Sequence, residues 1–149
     1  MFGWFKKDNK EIISIESEVL GIVELKSEGW ECAIKYVFGG REYNIPVNLV
    51  QDDFDVFNKD AFEGLYKQYS SNKEDLDKKI VNELVKHYEL KDENAAYSRF
   101  EPKWLYLFEN GSSGLTFLDK EIDEGWSDQY IVVEITPELC WYGPEEEYI

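Results

Sequence analysis

Gly39-Gly40, set between two runs of alternating apolar residues, leaves little choice in how the surrounding chain can fold. As the two central residues of a tight hairpin turn, they supply the positive φ angles that such turns require. Phe38 then faces Arg41, and the same register pairs Tyr36 with Tyr43, Ile34 with Ile45, Cys32 with Val47 and Trp30 with Leu49 on one face. The other face pairs Val37 with Glu42, Lys35 with Asn44, Ala33 with Pro46 and Glu31 with Asn48. One face is mostly apolar and the other more polar, the pattern of a sheet covered on one side. Pro46 falls at a pair without hydrogen bonds, so the donor it lacks points away from the partner strand. This predicts that Arg41 to Val50 is an edge strand, with Leu20 to Lys26 beyond Trp30 to Phe38.

The apolar face needs a cover, and Asn72 to Leu90 offers one. Leu76, Ile80, Val81, Leu84, Val85 and Tyr88 form a single stripe at the helical period. Asn72 reads as the N-cap, with Glu74, Asp75 and Asp77 in the first turn and Lys86 and His87 near the last. A shorter helix, Asp60 to Tyr69, gathers Phe62, Leu65, Tyr66 and Tyr69, and Ser70-Ser71 is expected to separate the two as a helical hairpin. Lys91 to Asn94 should end the helical region. Trp30, Ile34, Tyr36, Tyr43, Ile45 and Val47 are expected to face the longer helix.

The remaining segments read as strands: an opening one within Glu11 to Glu18, then Trp104 to Phe108, Leu115 to Leu118, Tyr130 to Ile135 and a short Leu139 to Tyr142. Trp104 to Phe108 is apolar throughout and is read as buried on both faces. Gly143-Pro144 should stop the last strand. The fold class is α+β, a mainly antiparallel sheet built from hairpins with a helical hairpin packed on one face. Residues 1–149 are read as one domain, in which 1–10 form an N-terminal arm and 144–149 an acidic tail, both expected to be mobile.

The chain holds 16 Lys and Arg against 32 Asp and Glu, a net charge of −16, and from Glu101 to Ile149 there are 12 acids and 2 bases. Such a field repels nucleic acid and anionic membrane and suits a basic partner, although solubility alone would also select it. Cys32 and Cys140 stand apart, with no CxxC and no clustered histidine, so neither a disulfide nor zinc is expected, and a reducing cytoplasm is the natural compartment. The apolar run in Met1 to Phe5 is too short to span a membrane. The single imidazole, His87, lies beside a helical apolar stripe and reads as structural. No GxSxG, GxGxxG or Walker pattern occurs, so no catalytic residue and no cofactor are expected.

What stands out is LDKEIDEGWSD, read as an acidic loop from Asp119 to Gln129. Asp119, Glu121 and Asp123 match positions 1, 3 and 5 of a calcium loop, but glycine falls at position 7 and Tyr130 stands where glutamate belongs, so no metal site is expected. The same residues suit protein contact. Asp119, Glu121, Asp123, Glu124 and Asp128 would steer a basic protein, and Trp126 would anchor it unless its ring is tucked into the core.

The order "EVLGIVELK", "GW", a hairpin ending in "REYNIPVNL", an acidic connection, helices and a closing "DEGWSDQYIVVEI" resembles the small acidic bacterial domain-of-unknown-function proteins found near toxin and immunity gene clusters. Many of those carry Gly-His before the last valine-rich strand. This chain has Asp128-Gln129-Tyr130 there, so no histidine role carries over. The resemblance implies an α+β fold and a binding role. The leading expectation is therefore a non-enzymatic cytosolic binding module of the immunity type with a basic partner. The alternatives are a housekeeping protein without a charged partner and a divalent-ion-dependent hydrolase built on Asp119, Glu121 and Asp123.

Overall fold

Among the described residues, two helices interrupt a series of strands. The computed structural model describes residues 13–27, 29–52, 56–123, 128–136 and 141–148, with the backbone alone at 122, 123, 128, 129 and 141–148. The elements are β1 (Ser14–Ser17), β2 (Gly21–Lys26), β3 (Gly29–Phe38), β4 (Arg41–Val50), α1 (Lys59–His87), α2 (Glu93–Arg99), β5 (Phe100–Phe108), β6 (Ser113–Asp123), β7 (Asp128–Ile135) and β8 (Trp141–Tyr148). All eight strands form one sheet in sequence order. Neighbours are antiparallel except β4 and β5, which run parallel because the helices carry the chain back between them. The fold class is α+β, as expected.

The β3–β4 register is the expected one at every pair from Trp30↔Leu49 to Phe38↔Arg41. Gly39 and Gly40 have φ of 62° and 79°, and a Cβ on Gly39 would come within 2.5 Å of the Tyr97 ring. The turn thus needs glycine for its dihedrals and again for the close approach of α2. The expectation that β4 is an edge is corrected: Val47 to Val50 pair with Leu105 to Phe108. Pro46 removes only its own donor, and this ladder begins one residue beyond it.

The helix boundaries also differ from expectation. Ser70-Ser71 does not break the helical region, and α1 runs for 29 residues. Asn72 lies inside it, its amide Nδ2 donating to the Gln68 carbonyl at 2.9 Å. The N-cap is Asn58, whose side chain accepts from the Ala61 amide. At the other end Glu89 N–H donates to Lys86 O and Leu90 N–H to Val85 O, with Glu89 at φ 52°. This is the double bond pattern that commonly closes helices, here built without glycine. Lys91 to Asn94 does not end the helical region, because Asp92 accepts from the Ala95 amide at 2.9 Å and starts α2. The helical pair on one face therefore exists, with its joint at residues 88–92.

One side of the sheet and α1 share the core. Trp30, Cys32, Tyr36 and Phe38 on β3 and Ile45, Val47 and Leu49 on β4 are buried together with Phe62, Tyr69, Leu76, Ile80, Val81 and Leu84 of α1. Trp30 packs at a tilt against Phe57 just before α1, and Tyr36 meets Tyr69. With Phe57 against Trp30 and Tyr69 against Tyr36, the first half of α1 runs alongside β3.

Three strands depart from the sequence reading. β5 is buried on one face only: Phe100, Pro102, Leu105 and Leu107 point inward, while Trp104, Tyr106 and Phe108 are partly exposed on the other side. β6 extends past Leu118 to Asp123, so most of the supposed acidic loop is strand. Gly143-Pro144 does not stop the chain, and 144–149 is not a loose tail over its described length, since β8 pairs with β7 up to Tyr148. Single residue Val133 faces both Gly143 and Pro144, a bulge of the kind that accommodates proline. The N-terminal arm 1–10 lies outside the described residues.

Leu84 has no exposed surface at the heart of the stripe. Leu84→Ala should cost about 2 to 5 kcal/mol in denaturant titration, and a loss below about half a kcal/mol would remove α1 from the core.

Candidate functional site

The acidic segment is a hairpin whose base is fixed from inside the protein. Between the pairs Leu118↔Tyr130 and Asp123↔Asp128, residues 119–122 of β6 stand against residue 129 of β7. So large a bulge interrupts the ladder and bends the strand, and a side chain holds it here. That side chain is Asp119. Its Oδ1 accepts from Arg99 Nε at 2.9 Å and from the Glu121 amide at 3.1 Å, and its Oδ2 accepts from the Arg99 terminal nitrogen at 3.0 Å. The Asp119 side chain is 0% exposed and that of Arg99 15%. Arg99 also lies over the rings of Tyr88 and Phe100, at 4.7 and 5.2 Å. The Asp119 hydrogen bond, with nearby Glu121, raises the already high pKa of the guanidinium.

The expected binding residues therefore separate. Asp119 is a correction: it is buried and paired, unavailable to a partner because Arg99 occupies both of its oxygens. Glu121 is 70% exposed, 3.7 Å from Arg99, and points where a partner can reach it. Asp123 and Asp128 face each other in the backbone register where the strands meet the tip. Glu124 and Trp126 lie outside the described residues. Arg99, the residue that organises the base, escaped the sequence reading because it lies 20 positions upstream of its partner.

A second polar cluster joins α1 to β3. The Tyr36 hydroxyl donates to Asp77 Oδ1 at 3.0 Å and accepts from the Tyr69 hydroxyl at 3.0 Å. Lys73 Nζ donates to Asp77 and to the Val37 carbonyl and lies 4.1 Å from the centre of the Tyr36 ring. Burial raises both phenols and lifts Asp77 above its usual 3.8, although Lys73 and Tyr36 pull that carboxyl down. A depression of about 380 Å³ lies beside Lys73, Asp77 and Tyr97. Each donor in the cluster already has an acceptor, so it ties helix to strand.

The groups suited to covalent chemistry are placed otherwise. Burial, helped by Glu31, pushes the Cys32 thiol up to about 12, so it stays protonated at neutral pH. His87 is exposed at the end of α1, its ring edge against Tyr88. Among the described residues no three His, Cys, Asp or Glu are grouped to hold a metal ion. Among them, too, no helix is long and apolar enough to cross a membrane. No family model, no curated protein and no solved structure matches the chain.

Asp119→Ala leaves Arg99 without its partner and should cost about 3 kcal/mol, the lower end for breaking a buried pair because Arg99 keeps some exposure. Adding Arg99→Met should recover part of that loss in a double-mutant cycle; strict additivity would mean the two side chains do not interact. The raised Asp77 carboxyl has a pH signature of definite sign. A folded pKa above the unfolded one stabilises the protein fully below the unfolded value and is lost as pH rises through the folded value. Stability relative to Asp77→Asn should therefore fall as pH climbs upward from about 3.8, and a difference that stays flat would contradict the assignment.

Proposed function

We propose that this protein is a non-enzymatic, cytosolic protein-binding module of the immunity type, which recognises a basic partner at the flank formed by β6, β7 and β8. The carrying observation is where the charge lies. These three strands are successive at one end of the sheet, and the stretch from Glu101 to Ile149 that contains them holds 12 acids against 2 bases. The base of the β6–β7 hairpin is braced on the Arg99–Asp119 pair. Within it Glu121, Asp123, Glu124 and Asp128 steer the encounter, and Trp126 supplies the anchor.

The test begins with the basic products of reading frames adjacent to this one. Rescue, by co-expression, of growth arrested by such a product supports the reading, and failure to bind any of them removes it. With a partner in hand, neutralising Glu121, Asp123 and Glu124 should slow association and flatten its salt dependence. Trp126→Ala should speed dissociation by an amount worth roughly 2 kcal/mol or more. Thermal melts of the unbound variant come first: an unchanged melting point beside weaker binding supports the anchor, and a large drop assigns the ring to the core.

A further inference from the structure

The β2–β3 ladder stops early. It consists of Lys26↔Gly29, Leu25↔Trp30 and Glu24↔Glu31, whereas β3 continues to Phe38 in full register with β4. Before Glu24, β2 keeps β1 as its partner and leaves β3. The tight turn at Gly39-Gly40 makes Phe38, Tyr36, Ile34 and Cys32 the residues that exchange bonds with β4, so the main-chain groups of Ala33, Lys35 and Val37 point to the side that β2 has vacated. The Val37 carbonyl is taken there by Lys73 Nζ of α1, while Ala33 and Lys35 have no strand opposite them on that side among the described residues. A depression of about 380 Å³ lies in the divergence, lined by Ile22, Glu24, Glu31, Cys32 and Ala33. The surface is open: Ala33 is exposed, as are Ile22 at 62%, Val37 at 48% and the Lys35 side chain at 72%. At the closed end of the divergence Glu24 and Glu31 stand directly opposite each other, a pairing of like charge that costs stability. Lys26 is 3.7 Å from Glu24, and no cation pairs with Glu31 among the described residues.

We propose that this edge of β3 takes an extended segment of a partner protein as an added strand, with a lysine or arginine of that segment opposite Ala33. The inference goes beyond the reading above, since it concerns the other half of the sheet and no residue of the β6–β7 hairpin. Main-chain bonds to Ala33 and Lys35 supply the attachment, and the side chains select the segment. A cation opposite Ala33 comes beside both Glu24 and Glu31 and relieves their repulsion, while its aliphatic stem lies on Ile22. Lys35 repels a second cation two residues along, and Val37 favours an apolar residue two further on. A second copy of the chain is the wrong occupant, since each carries a net charge of −16.

The probes are the labelled peptides Ser-Lys-Val-Thr-Val-Val-Ser and its reversal, which suit parallel and antiparallel addition. Binding to the full chain is read by fluorescence anisotropy and by hydrogen exchange at individual amides. One of the two should bind and slow exchange at the Ala33 and Lys35 amides at least tenfold. Replacing its lysine by glutamate should weaken it at least tenfold, as should N-methylation of alternate amides in one phase but not in the other. Ala33→Pro removes a donor from this edge while sparing the β4 ladder, as Pro46 does opposite it, and should abolish binding. If that variant melts early, Glu24→Gln/Glu31→Gln, which should weaken the lysine peptide at least fivefold, carries the test. Indifference to the phase of methylation, protection confined to other amides, or no binding by either peptide would overturn the edge. Binding lost on Glu121→Gln/Asp123→Asn but kept on Glu24→Gln/Glu31→Gln would overturn it too, and would leave the function proposed above standing. Slow exchange at Ala33 and Lys35 in the unbound chain would mean that the chain covers the edge itself, and a dimer in sedimentation that Ala33→Pro dissociates would assign it to a second copy. Either result overturns the proposal.

Discussion

A sheet that is apolar on one side must be covered there, and the rest of this molecule follows from how α1 does so. Burying the inner face removes Val23, Trp30, Tyr36, Ile45, Val47, Leu105, Leu115 and Ile131 from water against the helical stripe. Each buried side chain of that size is worth about 1.5 to 3 kcal/mol, which is why a helix with exposed serines at its middle remains unbroken. The long crossover also dictates topology. A chain that leaves β4 and returns through two helices can rejoin the sheet parallel to β4, and it does so beyond Pro46, where donors are again available.

Polar groups in this interface are spent on alignment. Tyr36, Tyr69, Lys73 and Asp77 link β3 to α1 at one depth, and a slip of the helix by one turn would strand several of them without partners. The Arg99–Asp119 pair does the same for β6, where the backbone departs from regular pairing and local propensity offers no guidance.

Legibility in the sequence follows the range of the interaction that decides each feature. The β3–β4 register was readable because turn glycines and alternation lie within one short segment. The continuity of α1 was also written there, since Phe62, Tyr69 and Leu76 repeat in phase through Ser70-Ser71, but two serines outweighed the period. The one-sided burial of β5 was visible as aromatics alternating with leucines, a pattern hidden when every residue is counted simply as apolar. Asp119 was not readable. Within a run of acids it looks solvated, and only tertiary structure brings Arg99 to it.

The charge at the end of the chain bears on how a partner can approach. β8 is the last strand in the sheet order, so one of its two sides has no strand neighbour among the described residues. Glu145, Glu146 and Glu147 follow one another along it, so a strand attempting to add there meets like or unpaired charge at successive positions. Acidic residues on an edge oppose strand addition by another copy of the same acidic chain, which accounts for part of the charge without any partner.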